Sequence, residues 1–239
     1  MSDAVTLVIS EAREDVLRLE EISPEQTLEL TRVVLTCSAT RKPLARPLTL
    51  PLADCIGASS EGRELVVSSA PLKGAFLAKP CRQLKSKRFA CVSAEQATSW
   101  SAAIQNLLRG ASLDAPLPSQ RPRWLVVINP VSGNRLGLKV MDSCRPLFEA
   151  AGIALNEVIT THQGHAGEVI AQLNIAAVDG VVCVGGDGIV YEVVNALMSR
   201  PDADELVASL PIGVLPAGTG NSLSCSLLHA AKEPLHHMR

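Results

Sequence analysis

The apolar positions follow two different rhythms, and the change falls between residues 110 and 123. In residues 1–110 short β-type runs recur at 5–9, 28–37, 48–52, 65–67 and 89–92, separated by charged or Gly/Pro/Ser punctuation. One helix follows them. Ser93 is its expected N-cap, with Glu95 and Gln96 in the first turn of a capping box. Trp100, Ala103, Ile104, Leu107 and Leu108 supply its apolar face, and Gly110 ends it. Several antiparallel strands closed by one helix with an inward Trp make a small, mainly-β domain over 1–110.

Residues 111–122 hold Pro116, Pro118 and Pro122 with few apolar side chains, which predicts a linker. From 123 to 239 the pattern becomes strand, turn, helix, repeated. Strands are expected at 124–128, 153–160, 181–184 and 211–215, each followed by a turn. The first helix carries Leu138, Val140, Met141, Leu147 and Phe148, is irregular before Pro146, and stops at Gly152. Helices are also expected at 165–174, after Gly188 with Ile189, Val190, Val193, Val194 and Leu197 on one face, and at 222–228. Four βα units in a row predict an α/β fold, a parallel sheet covered by helices.

Composition narrows the function classes. The 239 residues allow one large or two small domains, and 47% hydrophobic content supports a sizeable core. Aromatic residues make up 3% and the net charge is −2, which argues against base stacking and against a nucleic-acid partner. The seven cysteines include no Cys-x-x-Cys pair and read as reduced thiols of a cytoplasmic protein. The first 15 residues lack a basic segment followed by an apolar core, so no signal peptide is expected. No apolar run approaches the roughly 18 residues of a membrane span. Lys79, Arg82, Lys85, Lys87 and Arg88 form a basic run without acids between Leu65 and Ala94. It is either a solvated loop or a contact for anionic headgroups at a membrane surface.

The candidate chemistry sits in the turns. Gly185-Gly186-Asp187-Gly188 joins a buried strand to a helix, exposing backbone N–H groups where the helix dipole favours an anion. One acid, Asp187, is set among the glycines. A second turn, Pro216-Ala217-Gly218-Thr219-Gly220-Asn221, ends the next strand at the same sheet edge. Asn221 is a candidate cap for the helix after it. His162 and His165, three apart, lack further ligands nearby for a metal. Neither a G-x-x-x-x-G-K-[ST] loop nor a G-x-S-x-G elbow occurs.

Three blocks in order carry a family resemblance: Asn129-Pro130-Val131-Ser132-Gly133, Gly185 to Gly188, and Pro216 to Asn221. Residues 123–228 resemble the superfamily of diacylglycerol, ceramide and sphingosine kinases, and the string GDGIVYEVVNALMSRPD is most similar to the sphingosine kinases. NAD kinases and phosphofructokinases use a similar glycine loop, but in NAD kinases it continues with a small hydroxyl residue where Ile189 stands here. The resemblance implies a diacylglycerol kinase/phosphofructokinase-like lobe that binds ATP and Mg²⁺ and phosphorylates a sphingoid-base hydroxyl. Diacylglycerol and ceramide kinases are the alternatives, and a non-catalytic regulatory fragment is another. It implies a catalytic or metal-linked role for Asp187. It implies nucleotide contacts from Asn129, Pro130, Val131, Thr160, Thr161, His162, Gly164, Gly185, Gly186, Gly188, Glu192, Gly218, Thr219 and Gly220, with Arg135 a further candidate. The family's β-rich second lobe, which forms the lipid pocket, has no counterpart in these 239 residues. The first 110 residues resemble the pleckstrin-homology plan by pattern, as found ahead of ceramide kinases and some sphingosine kinases.

Overall fold

A computed structural model describes residues 16–23, 26–31, 34–39, 47–75 and 78–234. The expected strand at 5–9 lies outside them. Contacts divide the chain into two units. The first comprises residues 1–71 and 85–117, and the second comprises 72–84 and 118–239.

The first unit begins with four antiparallel strands in sequential order: β1 (Val16–Ser23), β2 (Gln26–Thr31), β3 (Val34–Ala39) and β4 (Leu48–Pro51). The single run expected at 28–37 is two strands of a hairpin. Thr31 explains the break, because its hydroxyl accepts from the Val34 N–H at 3.0 Å and donates to the Val34 carbonyl at 3.2 Å. Next come β5 (Cys55–Glu61), β6 (Glu64–Ser69), the hairpin strands β7 (Leu72–Ala75) and β8 (Ala78–Arg82), then β9 (Lys85–Ala90). β5, β6 and β9 form a three-stranded antiparallel sheet, whereas β7 and β8 pair only with each other and group with the second unit.

Helix α1 (Ala94–Leu108) closes the first unit. The Ser93 side chain accepts from the Gln96 N–H, as the capping pattern predicts, while Gln96 Oε1 accepts from Val92 instead of from Ser93. Gly110, at φ +71°, ends the helix with paired bonds, Gly110 N–H to Leu107 and Ala111 N–H to Asn106. Trp100 and Ile104 are fully buried among Leu28, Leu30, Leu35, Leu65 and Phe89. The Trp100 indole N–H donates to Glu20 at 2.9 Å, so its one polar atom is satisfied. Residues 109–122 hold no helix or strand, yet the Asn106 amide donates to the Leu113 and Ala115 carbonyls and fastens the first part of the connection to α1.

The second unit is built on four parallel strands, β10 (Arg123–Ile128), β11 (Ala154–Ile159), β12 (Gly180–Gly185) and β13 (Ile212–Pro216), in the spatial order β11-β10-β12-β13. After β10 come a single turn, α2 (Ser132–Arg135), and α3 (Gly137–Ala150). Helix α4 (His165–Ala171) follows β11, and α5 (Asp187–Met198) and α6 (Ala203–Ser209) follow β12. Helix α7 (Ser222–Ala230) follows β13. Helix α3 runs unbroken through Pro146, before which an irregular stretch was expected, and α4 ends three residues short of the expected 174. Alternate side chains of each strand face opposite layers. Leu125, Val127, Val181 and Cys183 pack with α4, α5 and α6; Val126, Ile128, Val182 and Val184 pack with Met141 of α3 and Ala217. The sheet is covered on both faces, which is why β12 is buried at every position. The burial pushes the Cys183 thiol pKa up to about 12.

Candidate nucleotide site

The chain runs from β10 outward to β11, then returns to the other side of β10 to add β12. Such a reversal opens a crevice at the carboxyl ends of the two central strands. A cavity of about 570 Å³ lies there, within the usual range for a small-molecule site. Its wall comes from four turns: Asn129–Gly133 after β10, residues 160–163 after β11, Gly186–Ile189 with Glu192 after β12, and residues 218–220 after β13.

Glycine is required where these turns touch. A Cβ on Gly218 would stand 2.2 Å from the Gly186 Cα, and one on Gly186 would stand 2.6 Å from the Gly220 carbonyl oxygen. The two glycine turns therefore meet backbone to backbone. Two ladder-like bonds join them, Asp187 N–H to Gly220 at 3.0 Å and Ala217 N–H to Gly185 at 2.9 Å. Gly188 differs, since a Cβ there meets nothing within 4 Å. It lies in the first turn of α5, where N–H groups have no intrahelical acceptor, and it faces the cavity.

The Asp187 carboxylate leaves its own helix and caps another. Oδ2 accepts from the Ser222 N–H at 2.9 Å and Oδ1 from the Leu223 N–H at 3.2 Å, both in the first turn of α7. The Ser222 bond and then the Leu223 bond hold the Asp187 carboxyl below its ordinary value, so it is ionised. Asn221, expected to cap α7, does another job. Its side chain accepts from the Gly218 N–H at 3.0 Å and donates to the Gly218 carbonyl at 2.7 Å, closing the glycine turn on itself. An amide suits that two-ended task, and the carboxylate takes the two N–H groups.

The remaining turns are tied down in the same way. Asn129 Oδ1 accepts from the Val131 N–H at 3.0 Å, folding the first turn. Glu192 accepts from the Gly164 N–H at 3.0 Å, linking α5 to the turn before α4. His165 Nδ1 accepts from the Thr161 N–H at 3.1 Å, and the His162 and His165 rings stack with centroids 5.0 Å apart. Among the described residues there is no group of three or more His, Cys, Asp or Glu side chains able to hold a metal. The residues lining the cavity include Asp187 and Glu192 but no Lys or Arg.

Comparison with known proteins places this geometry. The family model described as the diacylglycerol kinase catalytic domain matches residues 123–238. Residues 123–238 are thus similar to a lipid-kinase catalytic domain. Sphingosine kinase 2 of Homo sapiens is 36% identical over 147 residues, covering 58% of this chain and 22% of that protein. Sphingosine kinase 1 of Arabidopsis thaliana is 42% identical over 116 residues, 48% of this chain and 24% of the relative. Sphingoid long-chain bases kinase 1 of Arabidopsis thaliana is 34% identical over 184 residues, 66% of this chain and 24% of its own length. The last share is more than residues 123–239 can supply, so that likeness reaches into the first unit. This chain thus spans about a quarter of the length of the curated relatives it matches. A solved structure of a putative diacylglycerol kinase from Bacillus anthracis str. Sterne aligns at 27% identity with a TM-score of 0.37, covering 46% of this chain and 37% of the other.

In the second unit, most of the residues singled out in the sequence stand together. Asn129, Pro130, Val131, Thr160, Thr161, His162, Gly186, Asp187, Gly188, Glu192, Gly218, Thr219 and Gly220 all line the cavity. Gly185 and Gly164 do not. Gly185 ends β12 with its missing side chain against Ile189 and Ser132, and the Gly164 N–H is taken by Glu192. Arg135 is also outside the lining. Ser132, Gly133, Gln163 and Ile189 line the cavity but were not singled out. Ser132 and Gly133 complete the block that begins at Asn129, Gln163 lies between His162 and Gly164, and Ile189 follows Gly188, so taking the first two stretches whole and one residue past Gly188 finds them.

Proposed function

We propose that the lipid-kinase lobe binds the Mg²⁺ complex of ATP in this cavity. In the longer protein typical of its relatives, it would transfer the γ-phosphoryl group to a sphingoid-base hydroxyl, giving sphingosine 1-phosphate. The observation that carries the reading is the contact of Gly186 with Gly218, which sets two glycine turns beside the open first turn of α5. That surface offers backbone donors and the positive end of a 12-residue helix to phosphate oxygens.

Mg²⁺ fits the donor set, since it is commonly held by one or two carboxylates together with substrate phosphates and water. Asp187, directly or through water, and Glu192 are the carboxylates available. When bound, the metal neutralises phosphate charge and polarises the transferred group. The chain supplies the rest: turns that orient the phosphates, an ionised Asp187 beside them, and Thr160, Thr161 and His162 on the far wall for the nucleoside. With two acids and no Lys or Arg in the lining, nucleotide affinity is expected to depend steeply on Mg²⁺. Titration calorimetry of the 239-residue chain tests this. Heat with ATP and Mg²⁺, much weakened by EDTA, supports the reading, and no heat on folded protein refutes it. The names of the relatives favour sphingoid bases over diacylglycerol or ceramide as acceptor. A kinase assay with each lipid, on a chain extended by a second lobe, would decide.

The first unit supports a second reading, a pleckstrin-homology-like domain acting in the cytoplasm at anionic membranes. Strands β1–β4, then β5, β6 and β9, then a helix with a buried Trp follow that plan. The basic run is reduced in the fold. Arg88 pairs with Glu61 at 2.6 Å and Glu64 at 2.8 Å, and Arg82 pairs with Glu233. The side chain of Lys79 lies outside the described residues. Lys85 and Lys87 are exposed on β9 and carry the prediction. Reversing both to Glu should abolish sedimentation with anionic liposomes, and added salt should weaken it. Unchanged sedimentation would assign the run to solvent.

A further inference from the structure

We infer that Asp187 is a positioning residue for the nucleotide site, capping the first-turn N–H groups of α7 from across the crevice and holding the turn at residues 216–221 against the turn at 185–188. This rests on the nucleotide reading and assigns Asp187 a task that needs no metal. Three bonds make the link. The Asp187 N–H donates to Gly220, while its two carboxylate oxygens accept from Ser222 and Leu223. One residue of the first turn thus grips the second turn on both sides of Asn221. Asn221 cannot take over, because its side chain is engaged with Gly218 at both ends. Glycine at 220 is part of the same fitting, since a Cβ there would stand 3.4 Å from Asp187 Oδ2. Hydrogen bonds from backbone N–H groups to a carboxylate cap are short and about twice as strong as neutral ones. Losing them would leave the first turn of α7 uncapped and free the second phosphate turn.

This arrangement predicts an effect opposite to that of a carboxylate acting only on metal or charge. Near phosphates without metal, an anionic side chain repels, so its removal should tighten binding. If Asp187 positions the second turn, its removal should loosen binding.

The probe is ADP in EDTA, added to the full 239-residue chain, with Asp187→Ala and Asp187→Asn beside the wild type. The cap predicts at least a tenfold loss of metal-free affinity in Asp187→Ala, and a smaller loss in Asp187→Asn, whose amide oxygen can take one of the two N–H groups. Equal or tighter metal-free binding in Asp187→Ala overturns the inference. Amide exchange supplies a second measurement that needs no nucleotide. Protection at residues 222–226 should fall in Asp187→Ala and fall less in Asp187→Asn, and unchanged protection in Asp187→Ala refutes the cap. If Asp187→Ala does not fold, Asp187→Asn decides, and wild-type protection at 222–226 with equal or tighter metal-free binding counts against the inference. If the wild type binds neither ADP nor ATP with Mg²⁺, the nucleotide reading fails and the positioning role fails with it, while exchange still shows whether α7 is capped by Asp187.

Discussion

Gly188 and Gly218 line one cavity but answer to different constraints. Open space surrounds the Cβ position of Gly188, whereas that of Gly218 overlaps the Gly186 backbone at 2.2 Å. Gly188→Asp should therefore leave the thermal midpoint nearly unchanged, since an acid in the first turn of α5 also suits the helix dipole. It should still abolish nucleotide binding. Unit charges about 4 Å apart repel by roughly 4 kcal/mol at an effective dielectric of 20, about a thousandfold in affinity. Gly218→Ala should do the reverse, costing about 3 kcal/mol and lowering the midpoint by roughly 10 °C, because backbone cannot yield as a side chain can. Scanning calorimetry and ATP titration on the two variants check both. At this scale the sequence was readable for residue type and blind to partner. The block Gly185 to Gly188 announced a tight turn between strand and helix, but that Asp187 reaches 35 residues along the chain to Ser222 follows only from the β12–β13 pairing, which no local pattern encodes.

Helix α4 shows how an element is held for the site. At its start, Glu192 accepts from the Gly164 N–H. At its end, the Arg200 guanidinium donates to the carbonyls of Ile170, Ala171 and Leu173, and Asp202 holds it at 2.8 Å and 3.0 Å. Both ends are thus fastened by residues of α5 or just after it. Arg200→Ala should cost about 2 kcal/mol, since charged hydrogen bonds to the carbonyls at the end of α4 are lost, and should speed amide exchange in residues 165–173. Helix α7 has a pH signature instead. The Asp187 carboxyl lies below its ordinary 3.8 in the folded chain. The stabilisation is therefore complete above the ordinary carboxyl range and disappears as pH falls below 3.8 through the lowered native value. The gap in thermal midpoint between wild type and Asp187→Asn should close on acidification over that window. Elements with strong caps or periodicity, such as α1 and α5, were readable. Helix α6 was not, because it is seven residues long and buries mainly Leu206. The alternating but charged β1 was missed for the same want of apolar signal.

At the scale of the molecule, each unit carries one of the two tryptophans, Trp100 in the first and Trp124 in the second. Trp100 is wholly buried, and Trp124 sits against Phe148 with ring centroids 6.2 Å apart. Trp100→Phe and Trp124→Phe variants therefore report one unit each, and two separable urea transitions are expected by fluorescence. The change from short β-runs to βα repeats falls near residue 123, and the second unit resumes the chain at 118. The transfer of β7 and β8 to the second unit was not readable, since it depends on contacts such as Arg82 with Glu233, 151 residues apart. The strand order has a consequence in time. Trp124 pairs with Gly180 and Val181 with Ile212, so the crevice between β10 and β12 cannot exist until a loop spanning α2, α3, β11 and α4 has closed. Loop closure of that length is slow, and local helices form far sooner. In refolding from urea, far-ultraviolet dichroism should recover first, Trp124 emission later, and binding of a fluorescent ATP analogue last. A nascent chain would gain this crevice only after its helices were already made.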